Sequence, residues 1–387
     1  MIYLDSAATT LEKPSGVASS IAWAVNHLAS PGRGGHRASM RAAEIMYRCR
    51  ETAARMFHVG QPEQVILTSN ATHALNLAIH SLVRPGSVVL ISGYEHNAVT
   101  RPLCQGPRVR VKVAAGPLFD PDGVYEAFDR ELTDEVDVVI CNHVSNVFGF
   151  IQPVERIAAL CRRRGKPLIV DASQSAGTLP VDLTGWGAAF VAMPGHKGLY
   201  GPQGTGLLLC NAQTLPLLYG GTGSVSSSQQ MPDFLPDRLE AGTQNVCGAA
   251  GLLAGMRFVQ SLGVERICQH EQKLCRRMMD GMEDLPGIQL YRGGNAVQSG
   301  LFSFRIEGMD CEAVGESLSR RGIAVRAGLH CAPIAHRTVG TLESGTVRVS
   351  FSAFNQMRQI ERVMAAVRAV IRERAHCGIG LGHPIHK

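Results

Sequence analysis

The chain has 387 residues, 45% of them hydrophobic, and its 38 basic and 32 acidic side chains give a net charge of +6. This hydrophobic content can fill one large core or two domains, so disorder over most of the length is excluded. The charges are dispersed along the chain, and the arginine cluster at 162–164 is interpreted as the solvent-exposed end of a helix. We therefore expect no nucleic-acid partner.

The amino terminus and the cysteines indicate the cellular location. No basic region precedes an apolar stretch at the amino terminus, and no apolar segment approaches the roughly 20 residues of a membrane span. We therefore expect a cytoplasmic protein with no membrane association. The eleven cysteines include no C-x-x-C pair, and a chain of this size does not need disulfides. Most of the thiols are predicted to be reduced and buried.

In chain order, the predicted elements begin with a strand at 2–4 and a helix at 17–28. From about 60 to 210, apolar β-branched runs alternate with helical patterns, and the runs lie at 65–68, 88–92, 138–141, 168–170, 190–192 and 207–210. Strands of this kind predict an α/β fold in which helices cover both faces of a mostly parallel sheet.

After about residue 250 the pattern changes. One or two helices at 252–285 are followed by short strands at 301–305 and 347–351 and by a helix from 356 to about 372. This order predicts a large domain at 15–255 and a smaller α+β domain formed by 1–14 and 256–375. The last segment, 376–387, is glycine-rich, and we interpret it as a flexible tail, although its histidines and cysteine could bind a metal.

Polar side chains follow five successive strands of the predicted sheet. In strand order they are Asn70 and Thr72, His96, Asn146, Asp171, and finally His196 with Lys197. Ligands of such sheets bind just beyond the carboxyl ends of the strands. Each of these residues alone could be a helix cap or a turn residue, but together they predict one site.

The chemistry of these residue types favours pyridoxal phosphate. That cofactor needs a lysine for its Schiff base, a carboxylate at its ring nitrogen and a flat group over its ring, which Lys197, Asp171 and His96 could supply. Gln174 could bond the phenolic oxygen, and the helix start near Thr72 could bind the phosphate. The glycines around Lys197 would let the backbone approach the cofactor. A dinucleotide site is the main rival, but no G-x-G-x-x-G follows the first strand.

Six motifs then resemble, in order and spacing, the class V aminotransferase group of fold-type I pyridoxal-phosphate enzymes. They are YLDSAATT at 3–10, EHNAV at 95–99, HVSN at 143–146, DASQ at 171–174, GHK at 195–197 and EAGT at 240–243. The segment VRAGLHCAP at 325–333 resembles the NifS-like cysteine desulfurases of the second, SufS-like group. The resemblance covers about residues 2–370 and implies a seven-stranded, mostly parallel sheet, bound pyridoxal phosphate and a homodimer.

The resemblance also implies a role for individual residues. Lys197 corresponds to the Schiff-base lysine, Asp171 to the partner of the ring nitrogen and His96 to the stacked acid/base. Asn146 and Gln174 are implied to contact the phenolic oxygen or the substrate, and Thr72, Ala71 and His196 the phosphate. Gly242 and Thr243 correspond to residues that reach the phosphate of the other subunit's site. Arg348 corresponds to the arginine that binds the substrate carboxylate, and Arg326 to a second arginine at the mouth of the site. Two departures from the family, Pro194 and Ala71 in place of hydroxyl residues, imply a weaker or redistributed grip on the phosphate.

Cys331 decides which reaction is expected. Arg326 and His330 flank it, and nearby cations favour a thiolate. The resemblance implies that Cys331 attacks the sulfur of L-cysteine, giving alanine and a persulfide that a thiol or an acceptor protein discharges. The alternatives are a selenocysteine lyase with the same residues, a class V aminotransferase, which has no use for Cys331, and an inactive scaffold in a sulfur-transfer assembly. The sequence leaves the physiological acceptor open.

Overall fold

Strands and helices alternate along the first 210 residues. The computed structural model describes residues 1–32, 34–106 and 108–377. In chain order the elements of this part are β1 (Ile2–Tyr3), α1 (Ser15–His27), α2 (Arg37–Met56), β2 (Val65–Thr68), α3 (Ala71–Leu82), β3 (Val88–Ser92), α4 (Asn97–Gln105), β4 (Arg110–Ala114), α5 (Pro121–Glu131), β5 (Val138–Asn142), α6 (Val154–Arg163), β6 (Leu168–Asp171), α7 (Leu183–Trp186), β7 (Phe190–Pro194) and β8 (Gly206–Cys210).

Seven of these strands form one sheet in the order β2-β8-β7-β6-β5-β3-β4. The pairs from β7 to β4 are parallel, whereas β8 runs antiparallel to both of its neighbours. The predicted mostly parallel, seven-stranded sheet is therefore confirmed, and all six predicted runs are strands. The sequence missed β4, because this edge strand exposes Arg110 and Val111 and lacks a continuous apolar run.

The apolar runs form strands because both of their faces are buried. In β5, Val139 packs in one hydrophobic cluster with Phe128 from α5, while Ile140 packs in another with Leu75 from α3. Successive strand residues point to opposite faces, so a run buried on both sides must be apolar at every position. The carboxyl ends of the parallel strands consequently lie together at one edge of the sheet.

The remainder of the described chain forms a second, smaller sheet with its own helices. Its elements are α8 (Val246–Leu262), α9 (Val264–Met282), β9 (Ile288–Tyr291), β10 (Leu301–Ile306), α10 (Cys311–Arg320), β11 (Ile323–Ala324), β12 (Arg326–Gly328), α11 (Pro333–Val339), β13 (Thr346–Ser350) and α12 (Met357–Cys377). Four antiparallel strands pair in the order β12-β13-β10-β9. The predicted helical stretch after residue 250 is two helices separated by Gly263, whose φ is +88°.

The amino-terminal strand packs with this smaller sheet. Ile2 pairs in parallel with Ile323 of β11, and Leu4 lies in one hydrophobic cluster with Phe302 and Leu274. These contacts support our proposal that residues 1–14 and 256–375 form the smaller domain. The boundary near residue 255 stays a prediction and falls within α8.

The end of α12 corrects one detail. The helix continues to Cys377, two residues into the segment predicted to be a tail, because the chain has neither glycine nor proline between its start and that point. The rest of the tail lies outside the described residues. In the part of the chain that the structure describes, no single helix is long and apolar enough to cross a membrane. The helices α8 and α9 reach that length and apolar composition only when taken together, and the chain bends by 80° between them.

Candidate active site

An inner cavity of about 240 Å³ lies at the carboxyl edge of the large sheet, where the smaller sheet meets it. The predicted site residues that line it are Ala71, Thr72, His96, Asn146, Asp171, Gln174, His196, Lys197, Arg326, Cys331 and Arg348. Residues from Ala71 to Arg348 are therefore gathered around one space, which brings the residues of the strand-end pattern together with Arg326, Cys331 and Arg348 from the smaller domain. Gly242 and Thr243 lie apart from it, and Thr243 lines a separate cavity of about 510 Å³.

Lys197 stands in a tightly packed turn that follows β7. A Cβ atom on Gly198 would lie 2.4 Å from the carbonyl oxygen of Ala176, and one on Gly195 would lie 2.2 Å from Thr205 Oγ1. These glycines are needed for close packing against the protein, and the expectation that they also let the backbone approach a cofactor stays a prediction. Burial lowers the pKa of Lys197 to about 8, with Asp171 acting in the opposite direction. The lysine therefore reaches its neutral, nucleophilic form near neutral pH.

Asp171 and His96 are held in fixed orientations beside the lysine. Asp171 is 4% exposed, and its Oδ1 accepts hydrogen bonds from the backbone and the hydroxyl of Ser173. His96 begins α4, and its Nδ1 accepts a hydrogen bond from Ala98 N at 3.0 Å. Burial lowers the pKa of His96 to about 4, so its imidazole is neutral at physiological pH. The site therefore combines a buried carboxylate with a neutral, flat ring.

Arg348 connects the two sheets. It is 2% exposed on β13, its Nη2 donates to Asp5 Oδ1 at 2.7 Å, and its Nη1 donates to the carbonyl oxygen of Asn146 at 2.9 Å. Its Nε has no partner among the described residues, and neither has the buried Oδ1 of Asn146. A guanidinium carries five N–H donors, so Arg348 keeps donors for a carboxylate ligand. Sequence reasoning missed Asp5, although it lies within the YLDSAATT motif.

The loop that carries Cys331 has an unusual backbone. His330 and Cys331 have φ angles of +50° and +56°, in the left-handed region that side chains other than glycine rarely adopt. The loop is held by two hydrogen bonds, from Asn146 Nδ2 to the carbonyl oxygen of His330 at 2.8 Å and from Asn97 N to that of Cys331 at 2.7 Å. Such strained conformations concentrate at functional sites.

The protonation state of His330, in this loop, differs from the expectation. His330 is buried, its Nε2 lies 3.1 Å from the carbonyl oxygen of Thr346, and burial together with Arg348 holds its pKa well below its usual value. His330 is thus neutral, and the expectation that it acts as a cation beside Cys331 is wrong. The sequence shows the histidine but not its burial. Arg326, at the mouth of the inner cavity, is the flanking cation.

Cys331 is one of two exposed cysteines, the other being Cys104, among the ten whose side chains the structure describes. Six of the ten are buried, which confirms the expectation of mostly buried cysteines, while their reduced state stays a prediction. The catalytic candidate therefore differs from most cysteines of the chain in its accessibility.

The remaining predicted residues surround the lysine and the start of α3. Gln174 Nε2 donates to the carbonyl oxygen of Ala7 at 3.0 Å, and His196 Nδ1 lies 3.0 Å from Thr9 Oγ1. Thr72 lies in the first turn of α3, whose amino-terminal N–H groups favour an anion. These contacts hold the side chains of Gln174 and His196 at the inner cavity, close to the helix start that could bind a phosphate.

Comparisons with known proteins agree with this geometry. The family model described as aminotransferase class-V matches residues 2–363. A probable cysteine desulfurase of Methanothermobacter thermautotrophicus is 32% identical over 93% of this chain and 92% of the relative. Another, of Mycolicibacterium paratuberculosis, is 33% identical over 98% of this chain but only 56% of the relative, so this chain spans about half the length of that protein.

Solved structures show the same fold. The apo cysteine desulfurase of Thermococcus onnurineus aligns over 96% of this chain and 95% of its own, with a TM-score of 0.87 and 28% identity. The cysteine desulfurase CsdA of Escherichia coli, solved with an S-sulfonic acid, aligns over 96% of this chain and 94% of its own, with a TM-score of 0.85 and 26% identity.

Proposed function

We propose that this chain, which belongs to the class-V aminotransferase family, is a cysteine desulfurase that forms L-alanine from L-cysteine and retains the sulfur on Cys331. One observation carries the proposal: an exposed cysteine on a strained loop lines the same cavity as Lys197, Asp171 and Arg348. A transamination would not need this thiol. The names of the relatives support the same activity.

The family depends on pyridoxal phosphate, and the residues of the inner cavity fit it. Lys197 would hold the cofactor through its amine, Asp171 would face the ring nitrogen, and the neutral ring of His96 would stack on it. The buried, unpartnered Oδ1 of Asn146 supports a polar ligand at this place. When bound, the cofactor supplies an electron sink that weakens bonds at the substrate's Cα and Cβ.

The smaller sheet would orient the substrate. Arg348 retains N–H donors for the carboxylate of cysteine, and Asp5 and the carbonyl oxygen of Asn146 fix the plane of its guanidinium. Arg326 would add a second positive charge at the mouth. Bound in this way, the amino-acid backbone of the substrate would lie between the two sheets, and its side chain would be free to approach Cys331.

Cys331 would act as the nucleophile. Its Sγ forms a bond to the sulfur of the substrate, the Cβ–S bond of the substrate breaks, and the carbon product leaves as alanine after it gains a proton. Lys197 is suited to hold and release that proton, because its pKa of about 8 lies close to neutral pH. The sulfur remains on Cys331 until a thiol removes it.

The proposal includes a homodimer in the cytoplasm and a sulfur acceptor. Gly242 and Thr243 lie apart from the inner cavity of their own chain, which supports their proposed contact with the phosphate of the other subunit's site. The free thiols of the described chain support a reducing compartment. L-Selenocysteine, bound through the same residues, is the second substrate to test.

The test compares Cys331→Ala with Cys104→Ala, which removes the other exposed thiol. Alanine formation from cysteine should fall by at least about 10³-fold in Cys331→Ala and stay near the parent rate in Cys104→Ala. Both variants should keep the yellow colour of the cofactor-loaded protein. After a pulse of cysteine, mass spectrometry of the parent should find one added sulfur on the Cys331 peptide.

Two results would contradict the proposal. One is full production of alanine and sulfide by Cys331→Ala, and the other is a persulfide confined to a different cysteine. Parallel assays with selenocysteine show whether that substrate is preferred.

A further inference from the structure

A second cavity, of about 340 Å³, lies on the outer side of Cys331. We call it the outer groove, and the residues that line it outside the inner cavity are Asn76, Asn97, Arg101, Pro102 and Gln105. Its remaining lining residues, Cys331 among them, also line the inner cavity. Cys331 therefore belongs to the wall between two spaces and is accessible from both.

The backbone of Cys331 is fixed in this wall. The hydrogen bond from Asn97 N to its carbonyl oxygen ties the loop to the first turn of α4, and Arg101 and Gln105 lie on the next turns of that helix. The backbone that carries the thiol is consequently tied to the helix that lines the outer groove. A sulfur atom added to Cys331 from the inner cavity would not need the loop to move in order to meet a molecule in the outer groove.

The charge of the outer groove is positive. Arg101 is exposed and forms no ion pair within the described residues, and no aspartate or glutamate occurs among the residues that line the groove. His96, which is shared with the inner cavity, is neutral because burial lowers its pKa to about 4. The groove therefore carries one uncompensated guanidinium, which favours an anionic ligand.

We propose that the outer groove binds a small thiol that bears a carboxylate, and that this thiol removes the sulfur from Cys331. The volume of the groove is within the range of small-molecule sites, about 300–1,000 Å³. Arg101 recognises the carboxylate, while Cys331 meets the thiol. This proposal rests on the proposed function and adds the chemical class of the acceptor and its route.

The transfer is balanced without a further oxidant or reductant. The thiolate of the acceptor attacks the terminal sulfur of the Cys331 persulfide, a bond forms between these two sulfurs, and the bond from Cys331 Sγ to the terminal sulfur breaks. The electron pair of the broken bond stays on Cys331 Sγ as a thiolate. The acceptor leaves as a persulfide, and the substrate cavity is ready for the next cysteine.

The experiment uses holoenzyme loaded with one equivalent of cysteine and then freed of small molecules. Discharge of Cys331 by 3-mercaptopropionate, 2-mercaptoethanol and cysteamine, which are anionic, neutral and cationic thiols, is followed by mass spectrometry after alkylation. For each thiol the rate in Arg101→Glu is divided by the rate in the parent, so the intrinsic reactivity of the thiol cancels. Arg101→Lys keeps the charge, and Arg358→Glu makes the same net-charge change on an exposed residue of α12.

At low salt, the ratio of discharge rates in Arg101→Glu and the parent should fall by about fivefold or more for 3-mercaptopropionate. The same ratio should stay near one for 2-mercaptoethanol and should rise for cysteamine. Arg101→Lys should retain most of the anionic preference, and Arg358→Glu should show none of these changes. Equal ratios for the three thiols in Arg101→Glu, or the same pattern in Arg358→Glu, would overturn the proposal and indicate another acceptor, such as a protein thiol. Failure of the parent to load sulfur on Cys331 would instead contradict the proposed function itself, and this inference with it.

Discussion

The two walls of the inner cavity differ in the burial of their side chains and in their backbone conformation. On the wall formed by the large sheet, Asp171, His96 and Lys197 follow strands and are wholly or partly buried, and desolvation lowers the pKa of His96 and that of Lys197. On the wall formed by the loop after β12, Cys331 is exposed and its backbone is left-handed. The first wall is therefore a buried, polar surface, and the second presents an exposed thiol on a strained backbone.

The largest expected effect tests the first wall. Lys197→Ala should abolish covalent attachment of the cofactor and lower alanine formation by about 10²- to 10⁴-fold or more, because it removes the amine at the end of β7. Borohydride reduction followed by intact-protein mass spectrometry measures the attachment. Cys331→Ala, on the opposite wall, is the matched control and should keep the attachment. A reducible cofactor bond in Lys197→Ala would remove the difference between the walls.

The first wall could be predicted from sequence because its residues obey local rules. Four of the parallel strands, β3, β5, β6 and β7, are apolar runs that polar residues follow, and parallel topology brings these ends together without further information. Asp171 and Lys197 were therefore placed near each other although only the strand pattern connects them. In the structure both side chains line the inner cavity, and their chemical roles remain proposals.

The second wall could not be predicted in the same way. The neutral state of His330 depends on burial beneath β13, and the pairing of Asp5 with Arg348 joins positions 343 residues apart. Both facts depend on tertiary packing, which no local pattern contains. Glu240 lies in a family motif, but the structure shows a buried ion pair between its carboxylate and Arg50, with Nη2 and Oε2 2.6 Å apart. The motif alone does not indicate this contact.

A smaller effect tests the ion pair that fixes Arg348 within the smaller sheet. Asp5→Asn leaves the buried guanidinium of Arg348 without its ionic partner and should lower the free energy of unfolding by about 2–3 kcal/mol. The loss is smaller than for a fully buried pair because the Asp5 side chain is 19% exposed. Urea unfolding measures it, with Asp122→Asn, which removes an exposed pair with Arg156, as the control that should change stability by less than about 1 kcal/mol. Equal losses in the two variants would show that the Asp5–Arg348 pair stabilises the fold no more than an exposed ion pair does.

A pH-dependent effect concerns a buried acid behind the first wall. Glu95 is fully buried at the end of β3, and its Oε1 accepts hydrogen bonds from Ser92 Oγ at 2.6 Å and from Asn142 N at 2.7 Å. Burial raises the pKa of this carboxyl from its ordinary 4.5 to about 8, opposed by the bond from Ser92. Glu95 is therefore mostly protonated at neutral pH, and a neutral amide should replace it with little change in shape.

The sign of the pH dependence follows from proton binding. Between pH 4.5 and about 8 the folded chain keeps a proton on Glu95 that the unfolded chain loses, so the contribution of Glu95 to stability falls as pH rises, by up to about 1.4 kcal/mol per pH unit. Glu95→Gln lacks this term. Urea unfolding at about pH 5 and pH 8 should show the variant gaining stability relative to the parent at the higher pH, whereas the exposed Glu63→Gln should run parallel to the parent. A constant difference between Glu95→Gln and the parent would mean that Glu95 is ionised in the fold, and that burial does not set the charge behind the large-sheet wall.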